Sequence, residues 1–422
     1  MGVADALRRS ISFTDLASPQ QWLVDMFGGI PSNTGVVVNQ QTALRNSVVY
    51  SCVRVAADTV STLPLDLVET LPDGSTRVAK ENPLYHLWNV RANQEMTALA
   101  LREVMQGHIE TWGNAYAYVE KDKYNQFQGF WPLRPDRTWP QRNPTTKKIE
   151  YRTVLPNGAG VTLQADQVLH IPGFGYDGLV GYSPVTLMRE AIGMSLAMEE
   201  YGARFFSSGA KSSGVVKSTK TLSEPAQKRL REQFESMYYD LSKAHRTMIL
   251  EEGMDYDNIG IPPEDSQFIE SRKFQISDIA RVWRIPQHMI GDLDRATNNN
   301  IEHMSLEFVI YSLTPRLVRI EKTLNANILT SKEQQTLTFR HDVDELLRGD
   351  MKSRYDAYSV GRNGGWLNAN MILKKEGENP VEGGDVMWQP VNMMPASLSE
   401  AFWKSKQGQG QQQTPKGGKE LE

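Results

Sequence analysis

A glycine-rich segment has the spacing of a dinucleotide-binding turn. Gly173, Gly175 and Gly178 satisfy G-x-G-x-x-G directly after the strand-like residues QVLHI. Glu199 and Glu200 follow about twenty residues later, where such a site has the acid that binds a ribose hydroxyl. The chemistry that this pattern predicts is phosphate binding by backbone amides at the start of a helix.

The surrounding residues favour a plain turn instead. Phe174 and Tyr176 place bulky side chains where a phosphate would have to approach the backbone. The next helix is predicted to start only at Pro184, which is too late to direct its N-terminus at that phosphate, and no parallel β-α-β pattern follows. We therefore interpret the segment as a glycine-rich turn, with a nucleotide-dependent enzyme as the alternative function.

A histidine and two acids could bind a metal ion. His341, Asp342 and Asp344 lie within TLTFRHDVD, which has the pattern of a β-strand. Because side chains alternate between the faces of a strand, His341 shares a face with Phe339 and Val343, whereas the two acids lie on the other face. The sequence therefore predicts a half-buried histidine beside a solvated acidic face, and a metal-dependent enzyme is the alternative.

Composition limits the class of protein. The chain has 422 residues, of which 40% are hydrophobic and 23% charged, and its formal net charge is −4. This length and composition predict about three domain-sized units with a sizeable core. The overall basic charge that is typical of a protein built for tight nucleic-acid binding is missing.

The cysteine content and the N-terminus indicate a compartment. Cys52 stands alone, which excludes an intramolecular disulfide and fits a reducing environment, and its apolar neighbours predict an inert core thiol. The residues MGVADALRRSISF lack the features of a signal peptide, and no segment reaches the roughly 18 apolar residues that span a bilayer. We expect a protein that begins soluble in the cytoplasm, without a membrane partner.

Periodicity in the first half predicts a mixed α+β region. Steps of four, three and four residues place Val48, Cys52, Val55 and Thr59 on one face of a helix over 47–61. The further elements predicted are a strand at LDLVE, a turn at PDG, a helix over 98–112, a strand at AYAYVE, and a hairpin in which IEYRTVL and VTLQ flank PNGAG.

A third helix is predicted after residue 183. Ser183 and Pro184 have the residue types of an N-cap and a first helical residue. Apolar residues then recur at steps of four and three, which predicts a seam that packs within the core. The seam consists of Leu187, Ala191, Met194, Met198, Tyr201 and Phe205.

The segment 223–329 predicts packed helices that present loops, rather than a pocket for a small molecule. Ser223 caps a helix with one apolar seam, a short hairpin follows, and a second helix over 266–285 ends before Pro286. The hairpin consists of TMIL, EEG and MDYDNIGI, and the seam of the first helix consists of Leu230, Phe234, Met237 and Leu241.

A polar loop and a long helix complete this segment. The loop 291–300 carries almost no apolar residues, so it should face solvent or a solvated ligand. A helix over 301–329 follows, in which Pro315 predicts a kink near 311–314. Residues 344–376 are predicted to be helical with a glycine-containing break, and the last residues have no apolar periodicity.

Taken in order, these segments resemble the portal proteins of tailed bacteriophages, in the long-tailed phage portal family. The resemblance covers all but the two ends of the chain. It rests on SVVYSCVRVAADTVSTLPLDLVE, WGNAYAYVEKD, WPLRPDR, DQVLHIPGFGYDGLVGYSP, EEYGARFFSSGAKSSGVV, LSKAHRTMILEEGM, IPQHMIGDLDRATNNNIEH, LLRGDMKSRYDAYSVGRNGGWLNANMI and EGGDVMWQPVNM.

The resemblance implies an α+β portal fold with a mixed wing domain, two stem helices joined by a small β clip, a kinked tunnel helix and a helical crown. The implied bounds are 1–221 for the first part of the wing, 222–243 for stem helix 1, 244–262 for the clip, 263–290 for stem helix 2, 291–300 for the tunnel loop, 301–329 for the kinked tunnel helix, 330–345 for a wing strand, 346–400 for the crown and 401–422 for a disordered tail.

The resemblance also implies a function. Members of the family form a homo-oligomeric ring, normally a dodecamer, at the portal vertex of the virion capsid, after assembly in the host cytoplasm. The ring nucleates head assembly with the major capsid and scaffold proteins, docks the terminase large subunit, passes double-stranded DNA and later holds the head–tail connector. The expected protein is not an enzyme and needs no cofactor; a smaller head–tail adaptor is the other ring-forming alternative.

Two groups of site residues follow from the resemblance, and both stay expectations. The tunnel loop should line the DNA channel, and because it has two acids against one base, its DNA contact should be weak and non-specific. Its residues are Asp292, Leu293, Asp294, Arg295, Thr297, Asn298 and Asn299. The clip should dock partners, although a solvated turn is an equal alternative, through Arg246, Glu251, Glu252, Asp255 and Asp257.

Overall fold

The structure is a computed structural model that describes residues 32–207, 214–217, 224–225, 227–229, 231–232, 255–258, 265–292, 298–343, 351–376 and 378–388. Its contacts divide the chain into two units, with the boundary between Asp342 and Val343. The helices of the first unit are α1 (Gln40–Ala43), α2 (Ser47–Thr62), α3 (Pro83–Asn89), α4 (Ala98–Trp112), α5 (Pro184–Leu187), α6 (Arg189–Ser207), α7 (Asp265–Trp283), α8 (Asn298–Glu307) and α9 (Thr314–Asn327).

Antiparallel strands of the first unit form small sheets. Their bounds are β1 (Leu65–Thr70), β2 (Thr76–Val78), β3 (Asn114–Lys121), β4 (Phe127–Leu133), β5 (Thr138–Arg142), β6 (Ile149–Val154), β7 (Gly160–Gln164), β8 (Val168–Pro172), β9 (Gly214–Lys217), β10 (Asp255–Asn258) and β11 (Leu337–His341). The strand orders are β11–β1–β2, β4–β3–β8, β5–β6–β7 and β9–β10. The predicted strand at LDLVE, the strand at AYAYVE and the hairpin around PNGAG are confirmed.

Helix α2 confirms the first predicted helix, but a different face is buried. Asn46 caps it by accepting hydrogen bonds from the amides of Val48 and Val49. Of the predicted face only Cys52 is fully buried, where burial raises the pKa of its thiol to about 12, as expected of an inert core thiol. The buried residues are Val49, Cys52, Val53, Ala56, Ala57, Val60 and Ser61.

Aromatic packing joins the first two sheets. Trp88 of α3 lies 5.0 Å from Phe130 of β4 and 6.5 Å from Phe339 of β11, measured between ring centroids. Phe339 pairs with Leu67 across the β1–β11 ladder, and all four side chains are buried. Helix α4, which matches the predicted bounds, packs against α2 on one side and β3 on the other.

The predicted clip is described only in part. Strand β10 confirms the second strand of the hairpin, but TMIL lies outside the described residues. The partner of β10 that the structure shows is β9, with Asp255 opposite Lys217. Local pattern does not predict this pairing, because GVVK is too short to show an alternation. The described positions between 224 and 232 are helical, as predicted for the first helix of this segment.

Helix α7 ends as predicted, whereas the next helix begins early. Arg284, just before Ile285 and Pro286, adopts a left-handed backbone with φ of 54°, which stops α7 at Trp283. Helix α8 starts at Asn298 rather than at 301, so the last asparagines of the predicted loop belong to the helix. Asparagine favours helix starts, which explains the shift of this boundary.

The long helix changes its hydrogen-bond pattern just before Pro315. Residues Phe308–Leu313 form a π-helical turn between α8 and α9, and the N–H of Thr314 donates to the carbonyl of Val309, five residues earlier. Pro315 lacks an N–H and lies in the first turn of α9. The predicted irregularity is therefore present as a wide helical turn, and the bend angle itself stays a prediction.

The second unit contains two described helices, α10 (Met351–Asn363) and α11 (Ala369–Glu376). The glycine-containing break between them is confirmed at Gly364 and Gly365. Glu376 joins the two helices, because it accepts hydrogen bonds from Arg354 at 2.9 Å and from the Tyr358 hydroxyl at 2.8 Å.

Candidate functional site

The glycine segment packs against the protein backbone instead of offering a phosphate site. The N–H of Gly173 donates to the carbonyl of Gly113 at 2.7 Å. A Cβ atom on Gly113 would lie 1.9 Å from the carbonyl oxygen of Tyr182, and one on Gly181 would lie 2.0 Å from that of Gly113. The glycines therefore allow the backbone segments at Gly113, Gly173 and Gly181 to approach one another closely. Helix α5 begins only at Pro184, beyond this contact. This geometry favours the plain turn over the nucleotide alternative.

A buried amide fixes the far end of this turn. The side chain of Asn114 donates to the carbonyl of Gly181 and accepts from its N–H, both at 2.8 Å. His170 lies 3.1 Å from the same amide oxygen, and its other ring nitrogen lies 3.3 Å from the Tyr151 hydroxyl. No local pattern predicts this cluster, because its members are far apart in the chain and each stands among apolar strand residues.

The buried histidine should make stability depend on pH. Burial lowers the pKa of His170 to about 4, below its ordinary value of 6.5, and does the same to His108. Between these pH values the two histidines are protonated in the unfolded chain but not in the folded chain. Their contribution to the free energy of unfolding is therefore complete above pH 6.5 and is lost as the pH falls toward 4. We predict that the melting temperature falls over this window.

The substitution His170→Gln should reduce that pH dependence, because Gln does not titrate. Thermal unfolding measured between pH 7.5 and pH 4.5 checks this prediction. The matched control for the substitution itself is His303→Gln, since the His303 side chain is exposed on α8 whereas His170 is buried. Equal slopes in the wild type and in His170→Gln would contradict the assignment.

Above this anchored base, the loop presents aromatic side chains to solvent. Tyr176 is 89% exposed and Phe174 is 78% exposed, while Tyr182 packs beside Phe174 with ring centroids 6.2 Å apart. Asp177 shapes the tip by accepting hydrogen bonds from the amides of Leu179 and Val180. The result is a fixed loop with an apolar tip, which is suited to contact with protein.

His341 is fully buried rather than half-buried, which corrects the prediction. Its Nδ1 atom lies 2.9 Å from Glu321 Oε1, and the same oxygen accepts its main-chain N–H at 2.8 Å. Burial opposes ionisation of Glu321, but the hydrogen bonds from His341 outweigh it and lower the pKa of Glu321. Asp342 is half-buried and Asp344 lies outside the described residues. Among the residues that are described, no group of acids, histidines and cysteines converges to hold a metal ion.

A buried ion pair links distant helices. Arg316 of α9 donates to both carboxylate oxygens of Glu110 in α4, at 2.6 and 3.1 Å. The same guanidinium donates to the carbonyl and hydroxyl of Ser312 in the π-helical turn and to the carbonyl of Trp283. The indole of Trp283 in turn donates to the carbonyl of Glu110. The end of α7, the π-helical turn and α4 are thus held by one pair of charges.

No pattern in the sequence indicates this ion pair. Glu110 and Arg316 are separated by 206 positions. Each lies in a helix whose pattern has other polar residues, so neither charge stands out as buried. Their side chains are only 7% and 12% exposed.

The structure describes few of the predicted tunnel-loop and clip residues. Asp292 is half-buried and its N–H donates to the carbonyl of Gln287 at 3.1 Å, while Asn298 and Asn299 begin α8. Asp255 is exposed and Asp257 lies in β10. The other predicted residues lie outside the described part of the chain, namely Leu293, Asp294, Arg295, Thr297, Arg246, Glu251 and Glu252.

The apolar seam predicted for 187–205 faces outward along much of its length, which corrects its assignment to the core. Leu187 is 60% exposed, Met194 44% and Tyr201 50%. The buried positions are Val185, Ile192, Gly193, Ser195 and Gly202, none of which belongs to the predicted seam. We call these three exposed side chains the α5–α6 face. Periodicity showed which residues share a face, but not whether the same chain covers it.

A second exposed apolar surface lies on the long helix. We call it the α8–α9 face, and it consists of Leu306, Ile310, Tyr311 and Val318, which are 41–65% exposed.

None of the helices in the described ranges has the length and apolar character needed to cross a bilayer.

Comparisons with known sequences agree on one family. The family model described as "Phage portal protein" matches residues 47–377. The portal protein of Enterobacteria phage HK97 is 32% identical over 362 residues, which cover 85% of this chain and 84% of that protein. The probable portal protein of Streptomyces phage phiC31 is 28% identical over 369 residues, covering 84% of this chain and 79% of that protein.

Solved structures share the fold at lower identity. An HK97 family phage portal protein from Corynebacterium diphtheriae has a TM-score of 0.56 at 16% identity, covering 73% of this chain and 96% of its own. A chain from the virion of a native gene transfer agent particle has a TM-score of 0.57 at 19% identity, covering 86% and 95%. A chain from the neck of that particle, computed with C12 symmetry, has a TM-score of 0.55 at 20% identity, covering 81% and 92%.

Proposed function

The chain belongs to the phage portal protein family, and from this premise we propose that its copies form a closed ring at one vertex of a capsid. Double-stranded DNA passes through this ring during packaging and ejection. The family match over residues 47–377 carries the proposal, because it spans every described strand and every described helix except α1. The proposed role is structural and not enzymatic, since the glycine turn and His341 are both engaged in packing.

The exposed apolar faces support a ring. A closed ring with one kind of subunit needs heterologous contacts, in which two different surfaces of the same chain meet. The α5–α6 face and the α8–α9 face are two such surfaces, and each leaves large apolar side chains uncovered in the single chain. The neck structure with C12 symmetry among the structural neighbours favours twelve subunits.

Cryo-electron microscopy of the purified protein, together with its native mass, tests this proposal. We expect a ring with a central hole. Replacing Leu187 and Met194 by Asp should release monomers, because the change places charges on the α5–α6 face. Tyr124→Asp is the control, since Tyr124 is 72% exposed at a strand turn and belongs to neither face. A protein that stays monomeric at high concentration would sink the proposal.

We further propose that the loop after Asp292 lines the narrowest part of the channel. The support is its position between α7 and α8 and its low charge, because a strongly basic loop would bind phosphates and slow moving DNA. We predict that deletion of residues 294–297 leaves assembly intact but impairs packaging or retention of DNA. The deletion stops before Asn298, where α8 begins. Normal packaged length and retention in an in vitro packaging assay would show that the loop is only a connection.

The proposed clip is a docking surface for the terminase large subunit and later for the head–tail connector. Its support is the acidic composition of the segment between two predicted helices, in which Glu251 and Glu252 precede the exposed Asp255 by a few positions in the sequence. Replacing both glutamates by Lys should slow association with these partners and change its salt dependence, while the ring still assembles. Association rates that stay the same at low salt would remove the docking role from these two residues.

We also propose a life cycle that fits this role. The subunit assembles in the host cytoplasm, meets the major capsid and scaffold proteins during head formation, and remains at the portal vertex of the virion. Fractionation of infected cells and of purified particles tests this order. Absence of the protein from finished particles would contradict the proposed location.

A further inference from the structure

A small cavity in the core of the first unit has a mostly apolar wall, but four of the residues that line it also carry a buried polar atom. It has a volume of about 10 Å³ and lies between α2, α3, α4, α9 and the end of β11. Among the residues that line it are Trp88, Arg102, Gln106 and His341, which are 1%, 9%, 1% and 3% exposed. Each contributes one buried atom that has no hydrogen-bond partner within the described part of the chain, namely Trp88 Nε1, Arg102 Nε, Gln106 Oε1 and His341 Nε2.

Two of these atoms are donors by their chemistry. The indole Nε1 of Trp88 and the guanidinium Nε of Arg102 each carry a hydrogen and cannot accept. The Nη1 of Arg102 donates to the carbonyl of Leu63. This hydrogen bond holds the guanidinium in place and so fixes the direction of its Nε–H bond. A buried N–H group without an acceptor is costly, which makes both donors evidence for a missing partner.

The other two atoms are acceptors because of their neighbours. The Nε2 of Gln106 donates to Glu110 Oε1 at 2.6 Å, which fixes the orientation of the amide and leaves its Oε1 as a lone acceptor. The Nδ1 of His341 lies 2.9 Å from the carboxylate of Glu321. A carboxylate only accepts, so Nδ1 carries a proton, and in the tautomer with this one ring proton Nε2 presents a lone pair.

We propose that this cavity binds one structural water molecule that is shared by all four side chains. A water accepts two hydrogen bonds and donates two, so it satisfies Trp88 and Arg102 with its lone pairs and Gln106 and His341 with its hydrogens. The volume matches a single water, which needs roughly 10–15 Å³ of space for its centre. An anion such as chloride would satisfy the two donors but would face two lone pairs.

The water ties together elements that no direct bond connects at this point. Trp88 belongs to α3, Arg102 and Gln106 to α4, and His341 to the end of β11. Gln106 also contacts Glu110, one turn further along the same face of α4, and so the water extends the polar network of the Glu110–Arg316 ion pair toward the start of α4. The site is a polar link in the middle of an apolar core, and not a pocket for substrate.

A density map of the assembled protein at about 2 Å resolution tests the proposal directly. We expect one isolated peak within about 2.7–3.2 Å of the four atoms. Side chains that close the cavity by bonding one another, or a cavity without a peak, would overturn it. Diffraction from crystals soaked in bromide gives a second reading, because an anomalous peak at this position would show an anion site instead.

A substitution that should change the melting temperature in opposite directions for a dry cavity and for a water-filled cavity gives an independent test. Val60 lines the cavity, and Val60→Ile adds one methyl group. In a dry apolar cavity the added group would raise the melting temperature, whereas in the proposed site it displaces the water and lowers the melting temperature. Val53→Ile, on the same helix α2 and away from the cavity, measures the cost of overpacking alone. Val60→Ile should lose more than this control, and a gain in stability would overturn the proposal.

Discussion

Replacing Arg316 by Ala is expected to lower the free energy of unfolding by about 3–5 kcal/mol, because it leaves the charge of Glu110 buried and unpaired. The same change removes the donors to Ser312 and Trp283, so the π-helical turn loses its anchor as well. Arg316→Lys should show an intermediate loss, since an ammonium keeps the charge but cannot make the two-pronged contact with the carboxylate.

Denaturant unfolding of the purified variants, followed by tryptophan fluorescence, measures this loss. The matched control is Arg281→Ala, which removes an ion pair with Asp278 on the surface of α7, where the arginine is 67% exposed. Such an exposed pair contributes about 0–1 kcal/mol, so the control should unfold almost as the wild type does. An Arg316→Ala variant that resembles this control would show that the pair is not a main stabilising contact.

The substitution Gly113→Ala should destabilise the protein strongly, although it adds only one methyl group. Its φ of +75° costs an L-residue about 1–2 kcal/mol, and the new Cβ would meet the backbone oxygen of Tyr182 at 1.9 Å. Backbone atoms cannot rotate away, so overpacking adds about 1–3 kcal/mol or the loop that begins at Gly173 must lift from its base.

Gly107→Ala is the control for this change, because Gly107 lies on the same helix α4 with open space around the added atom. That substitution should stabilise the protein by about 0.8–1 kcal/mol, as expected for alanine in place of glycine inside a helix. Thermal unfolding of both variants, with hydrogen exchange of residues 173–182, measures the contrast. A Gly113→Ala variant with native stability and native protection of the loop would refute the packing role of these glycines.

Local sequence pattern predicted where the helices and strands of this fold lie, but it predicted less well which residues surround each of them in space. Helices α2 and α4 and strand β1 follow from periodicity and caps that lie within a few residues of one another. The hydrogen bonds of Asn114 with Gly181 and the pairing of β9 with β10 join distant positions, and no local pattern carries that information. The exposed α5–α6 face shows the same limit, because periodicity places Leu187 and Met194 on one side of a helix but does not say which chain covers them.

The candidate site was predicted through family resemblance and only weakly from the residues. The membership is confirmed, whereas the roles of the loop after Asp292 and of the clip acids stay predictions. The residues themselves argued against two alternative functions: the bulk of Phe174 and Tyr176 opposed a phosphate site, and the alternation of side chains along the strand separated His341 from Asp342. Side-chain bulk and the alternation of a strand can both be judged from adjacent residues in the sequence, without knowing which distant residues lie nearby in the fold.

The π-helical turn divides one apolar stripe into two. In the sequence, apolar residues recur at steps of four and three from α8 into α9, as in a single continuous seam: Leu306, Ile310, Leu313, Leu317, Ile320 and Leu324. The last four are buried, but Leu306 and Ile310 are 46% and 48% exposed, while Phe308 and Ser312 are buried instead. One extra residue in a turn advances the rotation by about 100°, since a regular helix has 3.6 residues per turn. The extra residue therefore rotates the apolar face of the second half of the helix relative to that of the first half. As a result, the helix packs its apolar side against its own subunit at one end and exposes its apolar side at the other.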